Sequence, residues 1–147
     1  MNLTNKKVLA TIILEMLGRP PEHLKESLQE LINKMKNEKD IKIKSYKINE
    51  PKELEDNKSF FTTFAEIDLE AEEAKHILYL TFKYMPSHVE IVSPENLSLD
   101  NNTLNEILNE LTRRLHAYDD VARIIQNEKI ILENKLKELT KKKDSSK

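Results

Sequence analysis

The sequence predicts an α+β protein: a βαββαβ sandwich over residues 1–100, a long amphipathic coiled-coil helix over 101–140, and a flexible lysine-rich tail over 141–147. Three observations carry that expectation. Short apolar runs bounded by Gly, Pro and Asn recur along the first hundred residues, as strands do. Two stretches between them repeat apolar residues at helical spacing. The last third contains neither Gly nor Pro and keeps a seven-residue apolar repeat.

Taken in order, Val8-Leu9-Ala10-Thr11-Ile12-Ile13-Leu14 is apolar on both faces, which places it centrally in a sheet covered on both sides. Gly18-Arg19-Pro20-Pro21 ends it, and proline suits the first turn of a helix, where its missing N–H leaves no bond unmade. Leu24, Leu28, Leu31, Ile32 and Met35 then share one helical face. Ile41-Lys42-Ile43-Lys44 alternates as a half-exposed edge strand does, and its lysines discourage stray pairing. Residues 49–58 read as a polar loop.

Ser59 to Leu69 is the next strand, with Phe61, Thr63, Ala65, Ile67 and Leu69 on one face and Phe60, Thr62, Phe64, Glu66 and Asp68 on the other. Glu70 to Tyr84 reads as a second helix, with Glu72 and Glu73 in its first turn, where the dipole favours acids. Its inner face falls at Ala74, Ile77, Leu78, Thr81 and Met85, and Pro86 stops it. His88-Val89-Glu90-Ile91-Val92 is the fourth strand, closed by Pro94. This order is the ferredoxin-like split βαβ pattern, with both helices on one face of a four-stranded antiparallel sheet. The doubly apolar first strand, with Phe60 and Phe64, predicts a cover for the other face as well.

Thr103-Leu104-Asn105-Glu106 has the spacing of a capping box and opens the long helix. Leu104, Leu108, Leu111, Leu115, Tyr118, Ala122, Ile125, Lys129, Leu132, Leu136 and Leu139 then follow at alternating steps of four and three. All but Lys129 are apolar, so the seam is that of a coiled coil. About 38 residues span roughly 57 Å, more than the width of a hundred-residue domain. Thr103 to about Val121, widened by Ile107, is expected to seal the open sheet face. Ala122 to Leu139, with Ile124, Ile130 and Ile131 beside the seam, is expected to reach a partner.

The predicted interface is therefore Leu108, Leu111, Leu115, Tyr118, Ala122, Ile125, Lys129, Leu132, Leu136 and Leu139. Its expected occupant is a second copy, giving a homodimer, with the helix of another protein as the alternative. Lys129 either specifies register or oligomer state, or snorkels to water from a partly exposed site. Flanking charges leave strand direction open: a parallel pair sets Arg114 against Asp119 favourably and Glu128 against Glu133 unfavourably.

Composition excludes a good deal. The net charge is -2, divided unevenly: 14 basic and 18 acidic residues over 1–100, 4 and 6 over 101–133, 6 and 2 over 134–147. The whole molecule is thus no electrostatic trap for nucleic acid. The chain has no cysteine, so disulfides, thiol nucleophiles and thiolate metal sites are ruled out. It has one glycine, Gly18, which rules out phosphate-cradling loops, dinucleotide fingerprints and Gly-x-Ser-x-Gly elbows. Lys6-Lys7 before Val8–Leu14 imitates a signal peptide, but Glu15 interrupts the run and no cleavage site follows. No stretch approaches the roughly 20 apolar residues of a membrane span. A cytoplasmic protein is expected.

Candidate chemistry is sparse. His116 and Asp120 lie four apart on the helix, a metal-clasping spacing, yet Arg113, Arg114 and Arg123 would repel a cation. Ser87-His88 lacks a third group to orient the imidazole. The acids Glu66, Asp68, Glu70, Glu72 and Glu73 can hold a divalent ion weakly or form a solvated edge. Lys141-Lys142-Lys143 complements the helix dipole and offers a contact for anions. An RNA-recognition surface needs aromatic residues on the central strands; Phe60 and Phe64 serve, but the first strand has none and the domain is acidic. No cofactor, no metal and no catalytic residue are expected.

Leu14-Glu15-Met16-Leu17-Gly18-Arg19-Pro20-Pro21, leading into an amphipathic helix and Ile41-Lys42-Ile43, resembles the start of an ACT domain. Such domains hold a small ligand, usually an amino acid, at the first strand-to-helix turn and the dimer interface. The resemblance implies Arg19 and His23 as the ligand-binding residues, with Pro21 where a glycine is usual. Gly18-Arg19-Pro20-Pro21-Glu22-His23-Leu24, Tyr84-Met85-Pro86-Ser87-His88 and Asn109-Glu110-Leu111-Thr112-Arg113-Arg114-Leu115-His116 are similar to a set of small uncharacterised archaeal proteins, nearly along the whole chain. That likeness implies a stand-alone protein and carries no function.

Three functions follow as expectations. The first is a non-enzymatic assembly or adaptor protein acting through its C-terminal helix. The second is an ACT-like small-molecule-sensing domain with the helix as dimeriser. The third is an RNA- or ribosome-associated factor using the sheet and the lysine tail.

Overall fold

The computed structural model describes residues 7–146; Lys6 of the basic pair and Lys147 of the lysine-rich segment lie outside the described residues. The chain divides into two compact units, Met1–Leu99 and Asp100–Lys147. The first is α+β, with strands β1 (Val8–Gly18), β2 (Ile41–Ile48), β3 (Lys52–Glu53), β4 (Phe61–Ala71) and β5 (His88–Ser93), and helices α1 (Pro21–Lys36) and α2 (Ala74–Tyr84). The second is a single helix, α3 (Asn101–Asp144).

All strand pairs are antiparallel, in the order β2-β4-β1-β5, with β3 also on β4. The central place of β1 follows from its apolar residues. Val8, Ala10, Ile12 and Leu14 are buried on the helix side, and β4 pairs β1 from Val8↔Ala71 to Gly18↔Phe61. From β4, Thr63, Ala65, Ile67, Leu69 and Ala71 enter the same layer. Leu24, Leu28, Ile32 and Met35 of α1 and Ile77 and Leu80 of α2 close it, so both helices lie on one face. Gly18 fits tightly there, since a Cβ would meet Leu24 Cδ2 at 3.3 Å.

The face away from the helices is polar at its centre. The Thr11 hydroxyl donates to Asp68 at 2.7 Å and the Ser45 hydroxyl donates to its other carboxylate oxygen at 2.9 Å. Those hydroxyls, Thr11 first, hold the Asp68 carboxyl below its ordinary range. One turn of the ladder on, Lys7 and Lys44 reach Glu70 at 2.8 and 3.2 Å and lower its pKa likewise. Leu9 and Phe64 flank this ladder and stay more than a third exposed.

Several boundaries differ from expectation. The strand expected to end at Leu69 continues to Ala71, because Glu70 pairs with lysines across the sheet while Ala71 is buried. Accordingly α2 begins at Ala74, and Glu72 and Glu73 precede it. The Glu73 N–H donates to His76 Nδ1 at 3.1 Å, while the His76 N–H donates to the Glu73 carbonyl. The inner face of α2 is Ala74, Ile77, Leu80 and Tyr84; Met85 adopts φ 48° beyond the helix and is 62% exposed. Within the loop expected at 49–58, Lys52 and Glu53 add the short β3.

Candidate interaction surface

The helix of the second unit is built almost wholly from local interactions. Asp100 is its N-cap, accepting the Thr103 N–H at 2.7 Å and the Thr103 hydroxyl at 3.0 Å. The Thr103 N–H, then its hydroxyl, lower the Asp100 pKa. The cap thus lies three residues before Thr103, one turn ahead of the expected capping box. No Gly or Pro interrupts the 44 residues that follow. Glu110 binds Arg113 and Arg114, which hold its carboxyl below the ordinary range, Arg113 first. Arg123 reaches Asp119 at 2.8 Å and Lys129 reaches Glu133 at 4.0 Å, both at i,i+4 spacing. The helix continues through Lys141, Lys142 and Lys143, whose charge complements its negative end. Those lysines belong to the segment read from the sequence as a flexible tail.

Along this rod the heptad seam is open to solvent. Leu108, Leu111, Leu115, Tyr118, Ile125, Leu132, Leu136 and Leu139 are between 41% and 65% exposed, with Ala122 and Lys129 exposed among them. Beside the seam, Val121, Ile124, Ile130 and Ile131 are exposed too. An apolar surface of this length and periodicity is unusual on an isolated helix. The helix measures about 66 Å at 1.5 Å per residue.

Several of the other candidate residues are engaged by near neighbours. Arg19 lies over the Phe60 ring, 5.2 Å from its centroid. His23 sits in the first turn of α1 with Nδ1 3.5 Å from Glu26, both side chains well exposed. The two thus face different neighbours. Asp68 and Glu70 bind hydroxyls and ammonium groups, and Glu73 lies 3.3 Å from Lys75. Among the described residues no group of three His, Asp or Glu gathers to hold a metal ion, and no helix is long and apolar enough to cross a membrane. One polar cluster escaped the sequence reading. Glu38, just after α1, accepts from Lys83 and from the Tyr84 hydroxyl at 2.6 Å. Only the antiparallel topology brings those residues together, so no local pattern signals them.

Comparison with known proteins places the chain. The family model of the MJ0538 family matches residues 9–145, so the chain belongs to that family. It is 26% identical over 110 residues to a protein of Methanocaldococcus jannaschii described as "Uncharacterized protein MJ0538", covering 75% of this chain. The chain spans 41% of that archaeal relative's length. No solved structure matches.

Proposed function

We propose that this member of the MJ0538 family is a non-enzymatic, cytoplasmic assembly protein that self-associates through the seam of α3, with a second copy as the occupant. The observation that carries the reading is the exposed heptad seam from Leu104 to Leu139, apolar at every position but Lys129. A heptad face is complementary to itself, because each apolar knob fits a hole formed by four residues of an identical helix. Two-fold pairs are also the commonest closed assemblies.

The strand order β2-β4-β1-β5, with two helices on one face, supports reading the first unit as a ferredoxin-like sandwich. An ACT-like ligand site at the β1–α1 turn would need Arg19 and His23. The stacking of Arg19 on Phe60 and the placement of His23 beside Glu26 weigh against it. An RNA-associated role meets the acids Glu66, Asp68 and Glu70 on the polar face of β4, which repel phosphates. The assembly reading therefore stands first.

Light scattering on the full chain tests it. At tens of micromolar the mass should be twice 17.2 kDa, and Leu115→Glu combined with Ile125→Glu should return it to the monomer value. A wild-type mass of one chain under those conditions refutes self-association.

A further inference from the structure

If the occupant of the seam is a second copy, the residues of α3 also decide how that copy runs; this inference rests on the self-association reading. We propose that the two α3 helices pair antiparallel, with Tyr118 of each packed across from the partner's Ala122 and Leu115 across from the partner's Ile125.

Volume is the first argument. Tyr118 and Ala122 are the bulkiest and the smallest residues of the seam and occupy consecutive core positions. A parallel, in-register pair would stack Tyr118 on Tyr118 and Ala122 on Ala122, leaving one overfilled layer beside one hollow layer. Antiparallel pairing sets large against small in both layers, which close packing requires.

Charge is the second. A parallel pair gains Arg114 against the partner's Asp119, but it places two Lys129 ammonium groups in one core layer and Glu128 beside the partner's Glu133. The antiparallel register sets Lys129 across from the partner's Leu111. The stem of Lys129 can cover that leucine while its amine stays near Glu133 of its own helix, 4.0 Å away. The same register brings Arg114 to the partner's Glu128 and Lys142 to the partner's Asp100, each twice by symmetry. Arg114 meets Glu110 through Nε at 2.6 Å, and a guanidinium carries five N–H donors, enough for both carboxylates. Asp119 does meet the partner's Asp119 at the two-fold axis, but on each helix Arg123 lies 2.8 Å from it. Sliding one heptad, so that Ala122 faces the partner's Ile125, sets Arg114 against the partner's Lys135 and yields no opposite-charge flanking pair. Flanking charges fix register and direction in this way.

The absence of cysteine makes single-cysteine variants of the full chain clean reporters. Val121, 53% exposed, lies beside its own counterpart at the proposed axis. Leu111 lies about 27 Å of helix rise from its counterpart. A short bismaleimide should link Val121→Cys into a covalent dimer and leave Leu111→Cys as single chains on a denaturing gel. Linking of Leu111→Cys, alone or together with Val121→Cys, overturns the antiparallel arrangement, since a parallel seam sets that position against itself. Failure of Val121→Cys to link overturns the register. In both cases a wild-type mass of two chains leaves self-association standing, whereas a mass of one chain removes both readings.

Discussion

At the scale of single residues, Glu38 ties the end of α1 to the end of α2. Its carboxylate accepts from Lys83 and from the Tyr84 hydroxyl, and those donors, Lys83 first, lower its pKa from the ordinary 4.5. Tyr84 moves the other way: burial, then the hydrogen bond to Glu38, raises the phenol's pKa above the ordinary 10.0. Folding thus favours ionised Glu38 and neutral Tyr84. The contribution of Glu38 is present above pH 4.5 and fades as pH falls below it; that of Tyr84 fades as pH rises above 10. Lys83 is 62% exposed and adds little. Glu38→Ala should cost about 1–2 kcal/mol near neutral pH, chiefly by leaving the half-buried hydroxyl without its acceptor. Urea titrations at pH 3 and pH 7 check both claims, because the pH difference in midpoint should be smaller in the variant. Such a cluster is invisible to sequence patterns, as 45 residues separate Glu38 from Lys83. The N-cap of α3 was half legible. Thr103 and Glu106 have the spacing of a cap, but Asp100-Asn101-Asn102-Thr103 repeats that spacing one turn earlier, and a carboxylate accepts N–H bonds strongly.

At the scale of elements, legibility followed the clarity of the apolar period. The centrality of β1, the buried face of α1 and the inward residues of β4 all follow from counting in steps of two or of 3.6. The β4–α2 junction did not, because Glu70-Ala71-Glu72-Glu73 satisfies both an alternating strand and an acidic first turn. Cross-strand lysines settle it for the strand through Glu70. Moving the start of α2 to Ala74 goes with an inner face at Leu80 and Tyr84, and with Met85 outside the helix. The strand β3, two residues long, is too short to carry any period. In α3 the informative residue is Lys129, the one charge in the seam. If two α3 helices pair as proposed, replacing it with leucine removes a charge and adds apolar area in its layer. Lys129→Leu should therefore tighten self-association at least tenfold by sedimentation equilibrium, and can shift the mass above two chains. Unchanged association would place Lys129 outside the contact.

At the scale of the whole molecule, the two units are stabilised by different physics. The first buries a continuous core in which Ile12, Leu28, Ile32, Met35 and Ile67 are 0% exposed, all of it contributed by one chain. The helix of the second leaves its apolar seam in water, and its caps and i,i+4 pairs each contribute only a fraction of a kcal/mol to about one. Helices draw most of their stability from packing an amphipathic face. When that packing comes from a second copy, mass action makes it concentration-dependent. Dilution should therefore separate the units. Between about 100 and 1 micromolar, ellipticity at 222 nm should fall and the first thermal transition should move to lower temperature, as RT ln of concentration enters the association free energy. Hydrogen exchange of the core amides of β1 and β4 should not change, because no association term enters their protection. In Leu115→Glu/Ile125→Glu the low-concentration behaviour should appear at every concentration. Core amides that lost protection in step with the helix would mean that the first unit, too, depends on the second copy, and that the chain folds only as an assembly.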